Sequence, residues 1–336
     1  MKISLQLKVF TKFAKTKKMK IVILDGFTAN PGDLEWHRLS DIGTLTVYER
    51  TLPENVVDRC EDAEIVLTNK TVISGDTLRK LPNLKYIGVL ATGYNVVDIA
   101  TAESLGIIVT NVPSYSTMSV AQNVFALILE ITNSVGHYTE EVKKGRWSES
   151  KDFCFTDTFL SELSGKQMGI IGYGAIGSKV ARIAAAFGMT VVAYTSKSEH
   201  QIAPVLKMEL DDLFKTSDII SLHCPLTNKT RHLVNRERIA IMKKSAILIN
   251  TGRGPLIDEK ALAEALREKR IFAAGVDVLT QEPPEKDNPL IKAPHIFITP
   301  HISWATFEAR KRLLAVAIEN VECFVAGKPR NVVTDN

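Results

Sequence analysis

The sequence has no apolar run approaching the ~20 residues that span a bilayer, so no membrane partner is expected. Cysteine is scarce. The four (Cys60, Cys154, Cys224 and Cys323) form no CxxC, and nothing has zinc-ligand spacing. Neither a disulfide framework nor a metal centre is expected, and the four thiols read as buried small hydrophobes. A genuine excess of charge is also missing. The net charge is +4, from 42 basic and 38 acidic residues, but six lysines and no acid lie within residues 1–18. Without that leader the chain has 36 basic against 38 acidic residues, which removes the electrostatic case for a nucleic-acid partner.

The leader lacks arginine, a compact apolar core and a small-residue cleavage site, the features of transit and secretory signals. It is expected to precede a fold that opens at Met19; a targeting or membrane-surface helix is the alternative. A cytoplasmic location is expected. The remainder, within a chain of 336 residues that is 45% apolar, suffices for two domains of ordinary size.

Short apolar runs alternate with amphipathic stretches, the pattern of parallel α/β architecture. Strands are predicted at 21–24, 45–48, 64–68, 84–89 and 107–109. A second series is predicted at 168–171, 190–194, 218–223, 246–250, 273–278 and 296–299. Val120, Val124, Leu127, Ile128 and Ile131 recur at helical spacing, which predicts one helix from a Ser119 cap to about Lys144. Residues 145–165 read as a connection, and 304–326 as a final helix.

Gly172-Tyr173-Gly174-Ala175-Ile176-Gly177 is a GxGxxG with a buried strand before it and an alanine-rich helical run after it. In that context Gly172 permits the tight bend and Gly174 lets backbone N–H groups approach a pyrophosphate. Gly177 allows close helix packing. An acid is expected about 20 residues on, for a ribose 2′-hydroxyl, but Thr195, Ser196 and Lys197 stand there. No carboxylate repels a 2′-phosphate, and Lys197 either pairs with one or is a solvated loop residue. NAD and NADP both stay open.

Three further clusters follow predicted strands, where open α/β sheets place ligands. They are Asn250-Thr251-Gly252-Arg253-Gly254, then Asp277 with Glu282-Pro283-Pro284, then Pro300-His301-Ile302-Ser303-Trp304. Arg253 suits bidentate capture of a carboxylate, His301 exchanges a proton near neutrality, and Glu282 can hold the imidazole. Singly, each has a plain structural explanation: a surface charge, a helix cap, a solvated acid. Together, behind a dinucleotide fingerprint, they describe a catalytic set.

From Met19 to the end, on Gly172–Gly177, Asn250–Gly254, Glu282–Pro284 and Pro300-His301, the chain resembles the D-isomer-specific 2-hydroxyacid dehydrogenases. The strings 119–122 and 301–306 resemble their glycerate dehydrogenase (hydroxypyruvate reductase) branch. The resemblance implies two doubly wound parallel-sheet α/β domains. A Rossmann dinucleotide domain, 119–302, is inserted into a flavodoxin-like substrate domain, 19–118 plus 303–336, with an active cleft between them. It implies that Arg253 orients a 2-oxo acid, His301 donates the proton and Glu282 partners His301. It also implies substrate contacts from Ala91, Thr92, Gly93 and Trp304, and adenine contact from Pro225. Thr251 and Gly252 fall to the nicotinamide end and Asp277 to the nicotinamide carboxamide. A homodimer is expected, through the segment from Ser119 and residues 145–165.

The activity implied is NAD(P)-dependent interconversion of hydroxypyruvate or glyoxylate with D-glycerate or glycolate, with no metal required. The alternatives are a relative acting on 3-phosphoglycerate, phosphite or formate, and a cofactor-sensing corepressor-like binding protein. The loop Leu90–Asn95 carries no basic residue for a phosphorylated substrate.

Overall fold

A computed structural model of the chain describes residues 18–335; residues 1–17, nearly all of the basic leader, lie outside them. The chain forms two compact units, one ending at Pro113 and resuming at Lys311, the other Ser114–Arg310. The division falls at 113/114 and 310/311, against 118/119 and 302/303 expected from the sequence. The shifted residues pack with the second unit: the Tyr115 and Trp304 rings meet edge-on at 6.3 Å, and Ser119 Oγ donates to Ser303 O at 2.5 Å.

The first unit holds β1 (Met19–Ile23), β2 (Gly43–Val47), β3 (Ile65–Thr68), β4 (Tyr86–Val89) and β5 (Ile108–Thr110). All neighbours are parallel, in the order β2-β1-β3-β4-β5, the flavodoxin-like arrangement. β3 and β4 are buried along their whole length, so their sequences are continuously apolar rather than alternating. Each such Val, Ile or Leu contributes about 1.5–3 kcal/mol by leaving water. The C-terminal segment returns to this sheet: Phe324 lies 4.7 Å from the Tyr86 ring, and Asn320 Nδ2 donates to Asn111 O.

The second unit holds β6 (Gln167–Ile171), β7 (Thr190–Tyr194), β8 (Leu206–Lys207), β9 (Ile219–Leu222), β10 (Ile247–Asn250), β11 (Ala273–Val276) and β12 (Ile296–Ile298). Its parallel order, β8-β7-β6-β9-β10-β11-β12, reverses direction at β6/β9. One apolar core, including Leu222, Leu248 and Leu262, covers one face. A second, including Val124, Ile128, Ile170 and Val180, covers the other. This is a doubly wound Rossmann sheet, inserted into the chain of the first unit.

Three local expectations are corrected. The helix expected over 119–144 is two helices, Thr117–Asn133 and Val135–Lys143, because Ser134 adopts a left-handed φ of 50°. Ser119 is a buried residue inside the first of them, which follows Ser116, and its hydroxyl serves the Ser303 carbonyl instead of a cap. Cys154 is exposed, and only Cys60 is fully buried, its thiol pushed up to about 12 by burial. The two-residue edge strand β8 has too little apolar sequence to be seen in advance. Among the described residues no helix is long and apolar enough to cross a membrane.

Candidate active site

The glycine-rich turn leaves β6 at the point where the strand order reverses. Gly172 has φ of 95°, and a Cβ there would sit 2.5 Å from Cys224 N. Gly177 is as confined, its Cβ position 2.1 Å from Gly172 O. By contrast, a Cβ on Gly174 meets nothing within 4 Å, and no side chain caps the helix Ala175–Ala186 that begins there. Two glycines therefore close the turn, and the third leaves open space before a helix N-terminus of 12 residues. That space fits a pyrophosphate held by backbone N–H groups.

At the end of β7 the Lys197 ammonium lies 6.0 Å from the centroid of the Tyr173 ring, so Lys197 reaches over the glycine-rich turn. Lys207 Nζ donates to Lys197 O at 3.0 Å, placing a second cation beside the loop. Thr251, at the end of β10, is buried with an Oγ1 that has no hydrogen-bond partner among the described residues. Such an orphan suits a bound polar group, and with Gly174 it makes the residues present a fit for a nicotinamide dinucleotide.

Beyond β9, His223 is held by burial well below the ordinary imidazole range, down to about 4, and its Nε2 contacts Ser221 Oγ at 2.9 Å. It is neutral at physiological pH and unfit as the acid. Its effect is on stability. The folded imidazole resists a proton that the unfolded chain accepts below 6.5, so stability falls as pH drops from 6.5 towards 4. The total is roughly 3 kcal/mol, of which about 2 kcal/mol is lost by pH 5. A His223→Gln variant is expected to lose less melting temperature than the parent between pH 7 and pH 5. Equal losses would show that His223 carries none of this slope.

The candidate catalytic set, Arg253, Glu282 and His301, is built on β10, β11 and β12. After β10, Asn250 folds its own loop: Oδ1 accepts from Gly252 N and Nδ2 donates to Arg253 O. Gly254 then lies so close to the next strand's loop that a Cβ would fall 2.0 Å from Leu279 C. Arg253 is thereby presented exposed. After β11, Glu282 Oε1 accepts from Leu279 N, leaving Oε2 directed at His301 Nδ1, 2.6 Å away. His301 follows β12 in a left-handed conformation, φ 54°, which costs a non-glycine residue about 1–3 kcal/mol. Both side chains keep access to solvent, at 26% for His301 and 34% for Glu282.

The structure thus joins His301 to Glu282 and sets Arg253 on a neighbouring strand end. It also shows one group the sequence left unmarked, Tyr115, and the hydrogen-bond partners of Asp277, a residue the sequence did mark. Tyr115, whose phenol is pushed up by burial against the opposing pull of the Arg253 guanidinium, touches Trp304. Asp277 is 1% exposed, and its carboxylate accepts from Thr299 Oγ1, Ile302 N and Ser303 N.

In the first unit, Ala91–Gly93 follow β4. Carbonyls of Ala91 and Thr92 accept from Val112 N and Asn111 Nδ2, while no hydrogen bond from the N–H groups of Ala91, Thr92 or Gly93 is found among the described residues. The turn is held from below. Asp25 accepts from Asn69, Lys70 and Thr71 N–H groups, and Asn69 Nδ2 donates to Leu90 O. Lys70 therefore stands on the turn that braces this loop, a basic residue near it that the loop's own sequence lacks.

The family model of the D-isomer specific 2-hydroxyacid dehydrogenase, NAD binding domain, matches residues 125–303. A hydroxypyruvate reductase of Blautia hydrogenotrophica is 49% identical over 324 residues, covering 94% of this chain and 99% of that one. A glycerate dehydrogenase of Methylorubrum extorquens is 43% identical over 289 residues, 85% of this chain and 90% of its own. Among solved structures, an acyclic imino acid reductase in complex with NADPH and D-Arg superposes with a TM-score of 0.82 at 34% identity, covering 94% of this chain and all of that one. With the inserted Rossmann unit, the glycine-rich turn and the Arg–Glu–His set in place, the chain belongs to the D-isomer specific 2-hydroxyacid dehydrogenases.

Proposed function

We propose that this enzyme reduces a short 2-oxo acid, hydroxypyruvate or glyoxylate, to D-glycerate or glycolate with NADH or NADPH. The observation that carries the reading is the 2.6 Å contact of His301 Nδ1 with Glu282, beside the exposed Arg253. It is supported by similarity to relatives named hydroxypyruvate reductase and glycerate dehydrogenase.

In this reading Arg253 takes the substrate carboxylate as a two-pronged ion pair and polarises the C2 carbonyl. Gly172, Gly174, Ala175, Ile176 and Gly177 hold the cofactor pyrophosphate; Thr195, Ser196 and Lys197 face its ribose, Pro225 its adenine, Thr251 and Gly252 its nicotinamide end. When bound, the dihydronicotinamide supplies a hydride to C2. Glu282 fixes Nδ1 of the imidazole, so Nε2 is the atom that gives its proton to the developing alkoxide; solvent then reprotonates His301. Trp304, and Ala91, Thr92 and Gly93 by family resemblance, complete the substrate contacts. Initial rates with hydroxypyruvate, glyoxylate, pyruvate and phosphohydroxypyruvate test the assignment, the last because Lys70 adjoins the loop. The first two are expected to lead, and inactivity with all four would return weight to a binding protein.

Lys197 over Tyr173, with no acid at the strand end, favours acceptance of the 2′-phosphate. Lys197→Asp is expected to lower kcat/KM for NADPH at least tenfold while NADH stays within threefold. An unchanged NADPH-to-NADH ratio would leave Lys197 a solvated side chain.

A homodimer and a cytoplasmic location belong to the same proposal. Trp147, Phe153, Phe159 and Leu160 stand exposed on the connecting segment, Phe153 at 90%, more apolar surface than a monomer usually leaves in one stretch. Sedimentation equilibrium at twice the monomer mass is the expected result for the dimer.

A further inference from the structure

We propose that Asn69 is a specificity-determining residue whose carboxamide oxygen accepts the 3-hydroxyl of hydroxypyruvate and so selects that 2-oxo acid over pyruvate. The inference rests on the 2-oxo acid reductase reading and deepens it by naming the substrate. In the first unit the strand order divides between β1 and β3: β2 lies on one side, and β4 and β5 follow on the other. Open parallel sheets take their ligands at the carboxyl ends of such a pair. Asn69 directly follows β3, and Asp25 lies two residues past β1.

Asn69 is 2% exposed. Its Nδ2 donates to Leu90 O at 2.5 Å, and because a carbonyl only accepts, the other end of the carboxamide is fixed as the oxygen. That Oδ1 is buried and has no hydrogen-bond partner among the described residues. A buried acceptor left unpaired is costly, and it is retained where a further group completes it. Other polar side chains of the adjoining turns are committed. Asp25 accepts from the N–H groups of Asn69, Lys70 and Thr71, Thr68 Oγ1 donates to Thr71 O, and Thr92 Oγ1 donates to Val112 O. The acceptor left over is Asn69 Oδ1, and the loop that follows Leu90 leaves over the N–H groups of Ala91, Thr92 and Gly93 as donors. N–H groups suit a carboxylate, and a carboxamide oxygen suits a hydroxyl. Hydroxypyruvate carries both groups. Glyoxylate, being shorter, leaves room for a water that pairs with Oδ1. The methyl of pyruvate takes that room and donates nothing, so it meets the full penalty of the unpaired acceptor.

Asn69→Leu keeps the bulk and removes the acceptor. The readout is the ratio of kcat/KM for hydroxypyruvate to kcat/KM for pyruvate, in which any general slackening of the loop through the lost Leu90 contact cancels. The ratio is expected to fall at least tenfold from its parental value. A smaller change, with both substrates slowed alike, would leave Asn69 a brace for the loop and overturn the proposal. If the variant does not fold, the parent enzyme carries the test with 3-fluoropyruvate, which is close to hydroxypyruvate in size but has no hydrogen to donate at C3. Its kcat/KM is expected to be at least tenfold below that of hydroxypyruvate, and a smaller difference would overturn the proposal. Should the parent reduce none of hydroxypyruvate, glyoxylate and pyruvate, the reductase reading fails and this inference with it. Should it reduce hydroxypyruvate while the ratio stays put in Asn69→Leu, only this inference fails.

Discussion

A His301→Gln enzyme is expected to bind NADH within twofold of the parent and to turn over hydroxypyruvate 10²- to 10⁴-fold more slowly. The size follows from what a positioned general acid contributes to a proton transfer. The sparing of cofactor affinity follows from the structure: His301 is attached to Glu282 through Nδ1 and lies beyond β12, whereas the turn that would hold pyrophosphate lies beyond β6. Glutamine keeps a polar group of similar reach but cannot deliver a proton to an alkoxide. Equilibrium fluorescence titration and single-turnover absorbance at the nicotinamide band measure the two quantities separately. Parental turnover in this variant would remove the acid from the mechanism.

Arg253→Lys is expected to be nearly as damaging, with kcat/KM for hydroxypyruvate lowered about 10²- to 10³-fold. Lysine keeps the charge but loses the flat fork that meets a carboxylate with two parallel hydrogen bonds, and with it the orientation of the carbonyl. Because the guanidinium binds the substrate carboxylate in the ground state and also orients and polarises the carbonyl more strongly in the transition state, KM rises and kcat falls together. The loop itself should survive, since Asn250 and the close approach of Gly254 to Leu279 set its path without the guanidinium. Steady-state kinetics on the variant check this, and kcat/KM within threefold of the parent would place substrate recognition elsewhere.

Much of this molecule was legible in the sequence because parallel α/β folds write themselves in buried strands. All strands but β8 coincide with predicted apolar runs, to within two residues at their ends. That the glycine-rich turn lies beside Cys224 was not readable in advance, since the reversal at β6/β9 is a matter of pairing and not of local pattern. Two kinds of feature stayed hidden. The first is local backbone choice: nothing in Ser134 announces a left-handed residue, and apolar periodicity continues across the break. The second is the support of the site. Asp277 reads as one acid at a strand end, and only the folded loop shows that Thr299, Ile302 and Ser303 converge on it. Tyr115 belongs here too, a buried phenol near Arg253 that its Pro-Ser-Tyr context does not mark. Side chains that touch substrate have a chemical signature. Those that hold them in place do not.

The most direct measurement is a single turnover of the NADH-loaded enzyme with excess hydroxypyruvate, followed by chiral separation of the glycerate formed. One equivalent of D-glycerate per NADH oxidised is the expected result. L-glycerate, or no oxidation of either NADH or NADPH, would contradict hydride transfer at a site built from Arg253, Glu282 and His301.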